Sequence, residues 1–429
     1  RAPPSQPPGA LRSLSLPRDI TMRWRLLALL AYTPLTSALT RSERERQDAE
    51  VHLTDDDIRQ HTGLSDKEAL ERLCSLYDAN GQMRNCLVPV DKGAGGGMGA
   101  VVGSVFEFMV TALENNCVFV HRTNILSIVG HGVDRQLLEA YLGIGHGCPQ
   151  WVMEPGIKYE KPESGRTVDI QANDAEQTIL KATVRHSTVS RQTGMQGPCE
   201  KQLKEPTLCL LERGKGRKDG KGSKMIARQI VRYWYRVKFD MPEKELTWFQ
   251  ASGRGRGPHV NLVFHLRRGD VHRWMKDRWT GDEYITQAFQ HLVRMLQAVR
   301  ERLGKAGSKL KFHLHFLSQG RELAFPLLGT WKQILEDGGI SFDAHLGFKA
   351  GRTKHDELAL PSFTHMAEAD ILLRGHSSFP AVAQTFYFSG VPIIYGPDDE
   401  IGEISGVFSE AVVDHITQYL LKRHLSQQT

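Results

Sequence analysis

The sequence predicts an α/β protein built as two halves, each on a parallel sheet. In the second half, short apolar runs alternate with helix-like segments, which is typical of parallel strands joined by right-handed crossovers. Near residue 85, a strand, a glycine-rich turn, an apolar helix and a second strand follow one another. The chain of 429 residues, 40% hydrophobic and 24% charged, is long enough for two ordinary domains.

The beginning of the chain has the pattern of a secretory signal. Arg23 and Arg25 follow Met22 and precede the apolar stretch Leu26–Tyr32, after which small residues offer a cleavage site. The apolar stretch is shorter than the about 20 residues of a spanning helix. A cleaved signal is therefore the first interpretation, and a short signal anchor, the only membrane contact we expect, is the second.

Composition shifts divide the chain into four segments. A Gly/Arg linker at Gly253–Gly257 is the best candidate for a boundary between two domains. The predicted segments are a leader (1–41), a polar stem with surface helices (42–84), a first Rossmann-like half (85–252) and a second half that holds the nucleotide site (253–429).

The net charge of +6 permits an anionic ligand without requiring nucleic acid. Basic residues concentrate in Lys201–Lys224, which we interpret as a mobile surface insertion near 200–224. No aromatic residues are interleaved there for base stacking, so no nucleic-acid partner is expected. The six cysteines all lie in the first half and form no C-x-x-C pair, so they are compatible with up to three disulfides if the protein is secretory.

Two acidic or glycine-rich motifs in the first half have competing interpretations. Asp55-Asp56-Asp57 could hold a divalent metal, but Thr54 before it is a good helix N-cap and acidic residues favour a first helical turn. Gly97 and Gly99 open the predicted helix Ala100–Leu113. They could let the backbone approach an anionic ligand, or form a tight turn with no ligand role.

The most informative stretch is Val260–Asp270, an apolar run that ends in two arginines and a glycine. The run predicts a buried strand of a parallel sheet. Ligands of open α/β sheets bind beyond the carboxyl ends of strands, and Arg suits bidentate phosphate recognition. Arg267 and Arg268 therefore indicate a site for a phosphorylated ligand, although a solvated turn with Asp270 pairing an arginine fits the same pattern.

A second candidate for phosphate binding follows another predicted strand. Ser377 and Ser378 stand where the strand Asp370–Leu373 gives way to a helix. They could cap that helix, or their hydroxyls could help to cradle a phosphate. The remaining predicted elements of this half are helices Asp282–Leu303, Arg321–Asp337, one around His365, Ser377–Gly390 and Glu410–His424, and strands Lys311–Leu317, Ile340–Ala344 and Pro392–Tyr395.

Taken together, the motif His265–Asp270, the segment Asp370–Ser378 and the Gly97–Gly99 turn resemble the GT-B fucosyltransferases. This family includes the α1,6-fucosyltransferases, the bacterial nodulation fucosyltransferase and, more distantly, the protein O-fucosyltransferases. The resemblance spans roughly Asn85 to Gly396. It implies a GT-B fold and an inverting, metal-independent transfer of fucose from GDP-fucose to a glycan or glycoprotein in the Golgi or endoplasmic reticulum, with no cofactor.

The resemblance also implies roles for matched positions. Arg267 matches the arginine that grips the diphosphate, and His265 matches the neighbouring histidine. Ser377 and Ser378 match a pair that contacts the donor phosphates, and Asp370 lies in the segment that helps to hold the guanine.

The sequence departs from the α1,6 enzymes at the general base, because Met275 stands where they carry a glutamate. Asp277 is our candidate base, with Asp270, His272 and Glu283 nearby. This departure leaves two alternatives open: a non-catalytic protein of the same fold that binds a nucleotide sugar or glycan, or a transferase with a different nucleotide-sugar donor.

Overall fold

The computed structural model describes residues 54–90, 98–122, 135–151, 163–172, 179–190, 194–199, 203–213, 220–237, 259–268, 279–347, 356–375, 377–387, 390–394 and 410–422. All of them belong to one compact unit, Ala49–Thr429. The predicted leader (1–41) lies outside the described residues. No helix within the described ranges has the length and apolar character needed to cross a membrane.

The described residues form twelve strands in two sheets, each sheet drawn from one half of the sequence. The first sheet contains β1 (Cys86–Pro89), β2 (Val118–Arg122), β3 (Gln150–Trp151), β4 (Thr167–Gln171), β5 (Ile179–Ser190), β6 (Gly194–Gln196) and β7 (Thr207–Arg213). The second contains β8 (His259–His265), β9 (Lys311–Ser318), β10 (Ile340–Leu346), β11 (Ile371–Arg374) and β12 (Val391–Ile394).

Ten α-helices accompany these strands in the described part of the chain. They are α1 (Asp55–Thr62), α2 (Asp66–Cys74), α3 (Met98–Glu114), α4 (Arg135–Leu142), α5 (Lys221–Val237), α6 (Asp282–Leu303), α7 (Leu328–Asp337), α8 (Asp356–Glu368), α9 (Ser378–Val382) and α10 (Glu410–Leu420). The α/β class is therefore confirmed.

The second sheet is entirely parallel, with the order β10-β9-β8-β11-β12. The order reverses direction between β8 and β11, the topological switch point at which open α/β sheets bind ligands. β8 lies at the centre, and every residue from Val260 to His265 is buried, as expected of a strand covered on both faces. Leu262 and Phe264 belong to the core under α6 and α10, whereas Val263 packs into the core that contains α3, α5 and α8.

The first sheet departs from the predicted parallel arrangement. Its order is β4-β3-β2-β1-β7-β5-β6, and β1, β2, β3, β5 and β7 pair in parallel. β4 runs antiparallel to both β3 and β5, so the sheet curls back on itself, and β6 pairs antiparallel with β5. The antiparallel strands β4 and β6 were not predicted, because residues 124–225 show no clear periodicity of apolar residues.

The prediction of a mobile surface insertion near 200–224 is wrong for much of that segment. Strand β7 lies inside it, between β1 and β5, and Leu208, Cys209 and Leu210 have no exposed surface. The basic residues before and after this strand obscured a short apolar core strand. Helix α5 then begins at Lys221, within the same predicted insertion.

The predicted polar stem also contains packed structure. Thr54 caps α1, accepting a hydrogen bond from the Asp57 amide at 3.2 Å while Asp57 accepts one from the Thr54 amide at 2.9 Å. The capping interpretation of the three aspartates is confirmed. Arg232 on α5 pairs with Asp55 at 3.1 Å, so α1 packs onto the first half instead of standing in solvent.

All six cysteines are paired. The disulfides join Cys74 to Cys148, Cys86 to Cys117 and Cys199 to Cys209. The first of them fastens α2 to the segment that follows α4, and the second joins β1 to the start of β2. The upper bound of three disulfides from the sequence is the number that the structure contains.

Candidate functional site

The candidate site lies at the carboxyl edge of the second sheet, where β8 and β11 end side by side. His265 pairs with Arg374 across these two strands, and the Gly375 amide donates to the His265 carbonyl at 3.2 Å. The chain leaving β8 carries Arg267 and Arg268, and the chain leaving β11 carries Ser377 and Ser378. Two segments that are 110 positions apart in the sequence thus meet at the switch point.

His265 is almost fully buried at this edge, and its ring meets the ring of Phe379 edge to face at 5.5 Å. Burial, together with the smaller effect of the nearby Arg267 guanidinium, lowers the pKa of His265 to about 4. The imidazole is therefore neutral near pH 7. It can offer a hydrogen bond but no charge, whereas the neighbouring Arg267 guanidinium is positively charged.

The two adjacent arginines point to different environments. Arg267 is half-buried, whereas Arg268 has no exposed surface. The Arg268 guanidinium donates to the Thr280 and Ala324 carbonyls, both at 2.7 Å, and lies 2.7 Å from an Asp282 carboxylate oxygen. It also stacks over the Trp279 ring, with the guanidinium carbon 4.3 Å from the ring centroid.

This geometry corrects the prediction that Arg268 contacts a donor. Its hydrogen bonds go to the protein, where it ties the loop after β8 to the start of α6. Arg267 is then the arginine of the pair that can reach a ligand at this edge.

Ser377 is the N-cap of α9, and its hydroxyl accepts a hydrogen bond from the Phe379 amide at 3.4 Å. Ser378 is exposed in the first turn. The capping interpretation of Ser377 is confirmed, and a contact of either hydroxyl with phosphate stays a prediction. The predicted helix Ser377–Gly390 is shorter as an α-helix, because Ala383–Tyr387 continues it as a π-helical turn.

Gly99 brings the first half of the chain to this site. It lies in the first turn of α3, and a Cβ placed on it would collide with the Ser378 carbonyl. Its lack of a side chain therefore lets α3 approach the backbone of α9, which is a contact within the protein and not the approach to a ligand that was one of its two interpretations.

Asp370 lies at the opposite edge of the sheet, which corrects the prediction that it holds the donor. It precedes β11, and four residues at about 3.3 Å each put it roughly 13 Å from the carboxyl edge. Its carboxylate accepts hydrogen bonds from the Asn261 amide at 2.8 Å and the Tyr419 hydroxyl at 3.0 Å. Asp370 therefore fastens β8 and β11 to α10.

The structure thus brings together His265, Arg267, Ser377, Ser378 and Gly99. Gly97 and Asp277 lie outside the described residues, as do Asp270 and His272. Of the other carboxylates considered as a base, Glu283 is exposed on α6. The sequence analysis did not identify Phe379, which shields the His265 ring. The position of Phe379 directly after the two serines was the signal that could have identified it.

Comparisons with known proteins give no close relative. The chain matches no protein-family profile and no curated protein sequence. Among solved structures, it is similar to a mutant of FUT1 from Arabidopsis thaliana in complex with GDP, at 14% identity over 80% of this chain and 78% of that chain, with a TM-score of 0.32.

Two further solved structures show comparable similarity. One is a glycosyl transferase of family 9 from Veillonella parvula, at 11% identity over 80% of this chain and 99% of that chain, with a TM-score of 0.35. The other is POFUT1 in complex with GDP, at 15% identity over 44% of this chain and 55% of that chain, with a TM-score of 0.21. At these scores the similarities decide nothing about the site.

Proposed function

We propose that the protein is an inverting GT-B fucosyltransferase that takes fucose from GDP-fucose and transfers it to a glycan or glycoprotein, without a metal at the donor site. The observation that carries the proposal is that the segments with Arg267 and with Ser377-Ser378 leave two adjacent parallel strands, β8 and β11, at the switch point of the sheet. Both belong to the motifs that resemble this family.

The proposed role of Arg267 follows from the chemistry of the leaving group. As the glycosidic bond breaks, negative charge grows on the oxygens of the departing nucleoside diphosphate. A guanidinium can donate two hydrogen bonds to those oxygens and stay charged at every relevant pH. The neighbouring His265 is neutral, so it would donate or accept a hydrogen bond at the nucleotide without competing for the charge.

The acceptor hydroxyl also needs a base unless bond cleavage runs far ahead of attack. We assign this role to Asp277. Asp282 is an unsuitable choice because its carboxylate lies against the buried Arg268.

The proposed location is the lumen of the secretory pathway, which the three disulfides support. Disulfides persist in oxidising compartments and are rare in the cytosol. The signal-like segment Leu26–Tyr32 is compatible with the same location.

The test is calorimetric titration of the protein with GDP-fucose, GDP-mannose and UDP-glucose, with and without added Mg²⁺ or Mn²⁺. We expect GDP-fucose to bind best, with an affinity that the added ions do not change. Arg267→Ala should weaken binding and lower any transfer rate by on the order of a hundredfold or more. Arg294→Ala is the matched control, because Arg294 is exposed on the outer face of α6.

Failure of every GDP-sugar to bind, or equal affinity in the wild type and Arg267→Ala, contradicts the proposal. Binding of GDP-fucose with no turnover against a panel of glycan acceptors supports a non-catalytic binding protein instead. In a working enzyme, Asp277→Asn should lower kcat while leaving the affinity for GDP-fucose unchanged.

A further inference from the structure

A cluster of histidines lies on the inner face of the second sheet, apart from the donor edge. His313 and His315 alternate along β9 and therefore share one face. Asp343 and His345 occupy the same face of the neighbouring edge strand β10, where Asp343 pairs with His315 in the strand register. His365 covers the group from α8, with its ring centroid 5.1 Å from that of His315.

Three of these side chains have ligand atoms close enough to share one ion. The ligand atoms of His313, His315 and Asp343 all lie within 4.8 Å of one another, and His313 Nε2 is 3.0 Å from an Asp343 carboxylate oxygen. An ion placed between the three atoms would therefore be no more than about 2.8 Å from each of them. Zinc bonds to imidazole and carboxylate are about 2.0–2.2 Å long. Side-chain shifts of under an ångström would close the site.

We propose that His313, His315 and Asp343 bind a divalent transition metal ion, for which Zn²⁺ is the best fit, at a site separate from the donor edge. Two imidazoles and one carboxylate suit Zn²⁺, whereas Mg²⁺ and Ca²⁺ prefer oxygen ligands alone. Three protein ligands leave a fourth position for water. The hydrogen bond of 3.1 Å between His315 Nδ1 and His345 Nε2 orients the His315 ring, so that its Nε2 is the coordinating atom.

The surroundings provide both rigidity and access. His313 and His315 are each 1% exposed and are held by the strand backbone, whereas the Asp343 side chain is 46% exposed at the edge of the sheet. An ion can therefore enter beside Asp343. The three residues are roughly 8–14 Å from His265, counting residues along the strands and strands across the sheet, so the site is separate from the donor edge. Its role is to fasten the edge strand β10 to β9.

The experiment uses the folded full chain without a histidine tag, stripped with a chelator that is then removed. Competition with a chromophoric chelator measures Zn²⁺ affinity and stoichiometry. We expect one tight Zn²⁺ per chain, a rise in Tm of a few degrees on binding, and a loss of affinity of tenfold or more in His313→Gln and Asp343→Asn. His345→Gln should weaken binding less than these two, through the His315 orientation.

His291→Gln is the control, because His291 lies half-buried on α6 away from the cluster. Asp343→Asn keeps the shape of a partly exposed side chain, so it stays informative if His313→Gln does not fold. Less than half an equivalent of tightly bound Zn²⁺ in the wild type, or unchanged affinity in Asp343→Asn, overturns the proposal. Neither result involves a nucleotide sugar, so this test is independent of the proposed transferase activity.

Discussion

At the residue scale, two adjacent arginines that follow β8 have different surroundings and therefore different roles. Arg267 and Arg268 differ by one position, yet Arg268 is fully buried and bonded to two carbonyls while Arg267 is half-buried at the candidate site. Beyond the end of β8, the Arg268 side chain turns to the start of α6, whereas Arg267 keeps part of its surface exposed. The motif alone indicated only that two arginines were present.

The buried imidazole of His265 should make folding stability depend on pH. Its folded pKa is about 4, below the ordinary 6.5, so the unfolded chain takes up a proton first as pH falls. The stabilising contribution of the neutral ring is complete above about pH 6.5 and is lost progressively toward pH 4. His265→Gln should reduce the slope of unfolding free energy against pH by up to about 1.4 kcal/mol per pH unit in this window.

Urea unfolding at several pH values between 4 and 7 measures these slopes. His61→Gln is the control, because His61 is exposed on α1. Parallel curves for the wild type and His265→Gln would show that the ring is not held neutral by burial.

At the element scale, α3 and α9 depend on a close backbone approach at Gly99. A methyl group there would meet the Ser378 carbonyl, while a methyl group on Gly103, one turn further along the same helix, would meet no atom within 4 Å. The two glycines of α3 thus differ in their packing and not in their helical position. Gly99 connects the first half of the chain to the candidate site.

Gly99→Ala should therefore destabilise the protein by about 1–3 kcal/mol, as overpacking does, and should weaken GDP-fucose binding by displacing the Ser377-Ser378 segment. Gly103→Ala should be neutral or stabilise by about 0.5–1 kcal/mol, because alanine is the better helix former. Thermal unfolding and donor titration of both variants measure this. Equal effects of the two substitutions would contradict the packing argument.

At the scale of the whole molecule, one of the three hydrophobic clusters of the described residues joins the two sheets. Phe106 on α3 stacks on Phe386 with ring centroids 4.1 Å apart, and the Arg232 guanidinium on α5 donates to the Phe386 carbonyl at 3.2 Å. Residues of both halves belong to the same buried cluster. The two halves are therefore packed together beside the candidate site, and α1 and α2 are fastened to them by ion pairs and a disulfide.

Removal of the disulfides should destabilise the molecule in the order of the loops they close. The bonded pairs are separated by 74, 31 and 10 residues, so loop-closure entropy predicts losses of roughly 4.4, 3.7 and 2.7 kcal/mol for Cys74–Cys148, Cys86–Cys117 and Cys199–Cys209. Paired Cys→Ser variants and urea unfolding measure the order. A larger loss for the Cys199–Cys209 pair than for the Cys74–Cys148 pair would contradict it.

The sequence by itself determined the α/β class, the capping of α1 by Thr54 and the order of strands and helices in the second half, although the helix predicted at Arg321–Asp337 begins only at Leu328. These features depend on local patterns: apolar runs, helical spacing and a capping hydroxyl. Helix Asp282–Leu303 has the predicted ends because its apolar period and its flanking glycines are both local signals. The burial of β8 could likewise be predicted, because five of the seven residues from Val260 to Leu266 are apolar.

Only the tertiary structure decided which polar residues share a site. It put Asp370 at the far edge of the sheet, turned Arg268 inward and brought Gly99 against Ser378, and none of these contacts has a signal in the adjacent sequence. It also revealed β7 within a basic segment and gathered histidines from two strands and a helix. Strand order and side-chain direction arise from contacts between distant segments, so local patterns predict the elements but not the neighbours that each functional group meets.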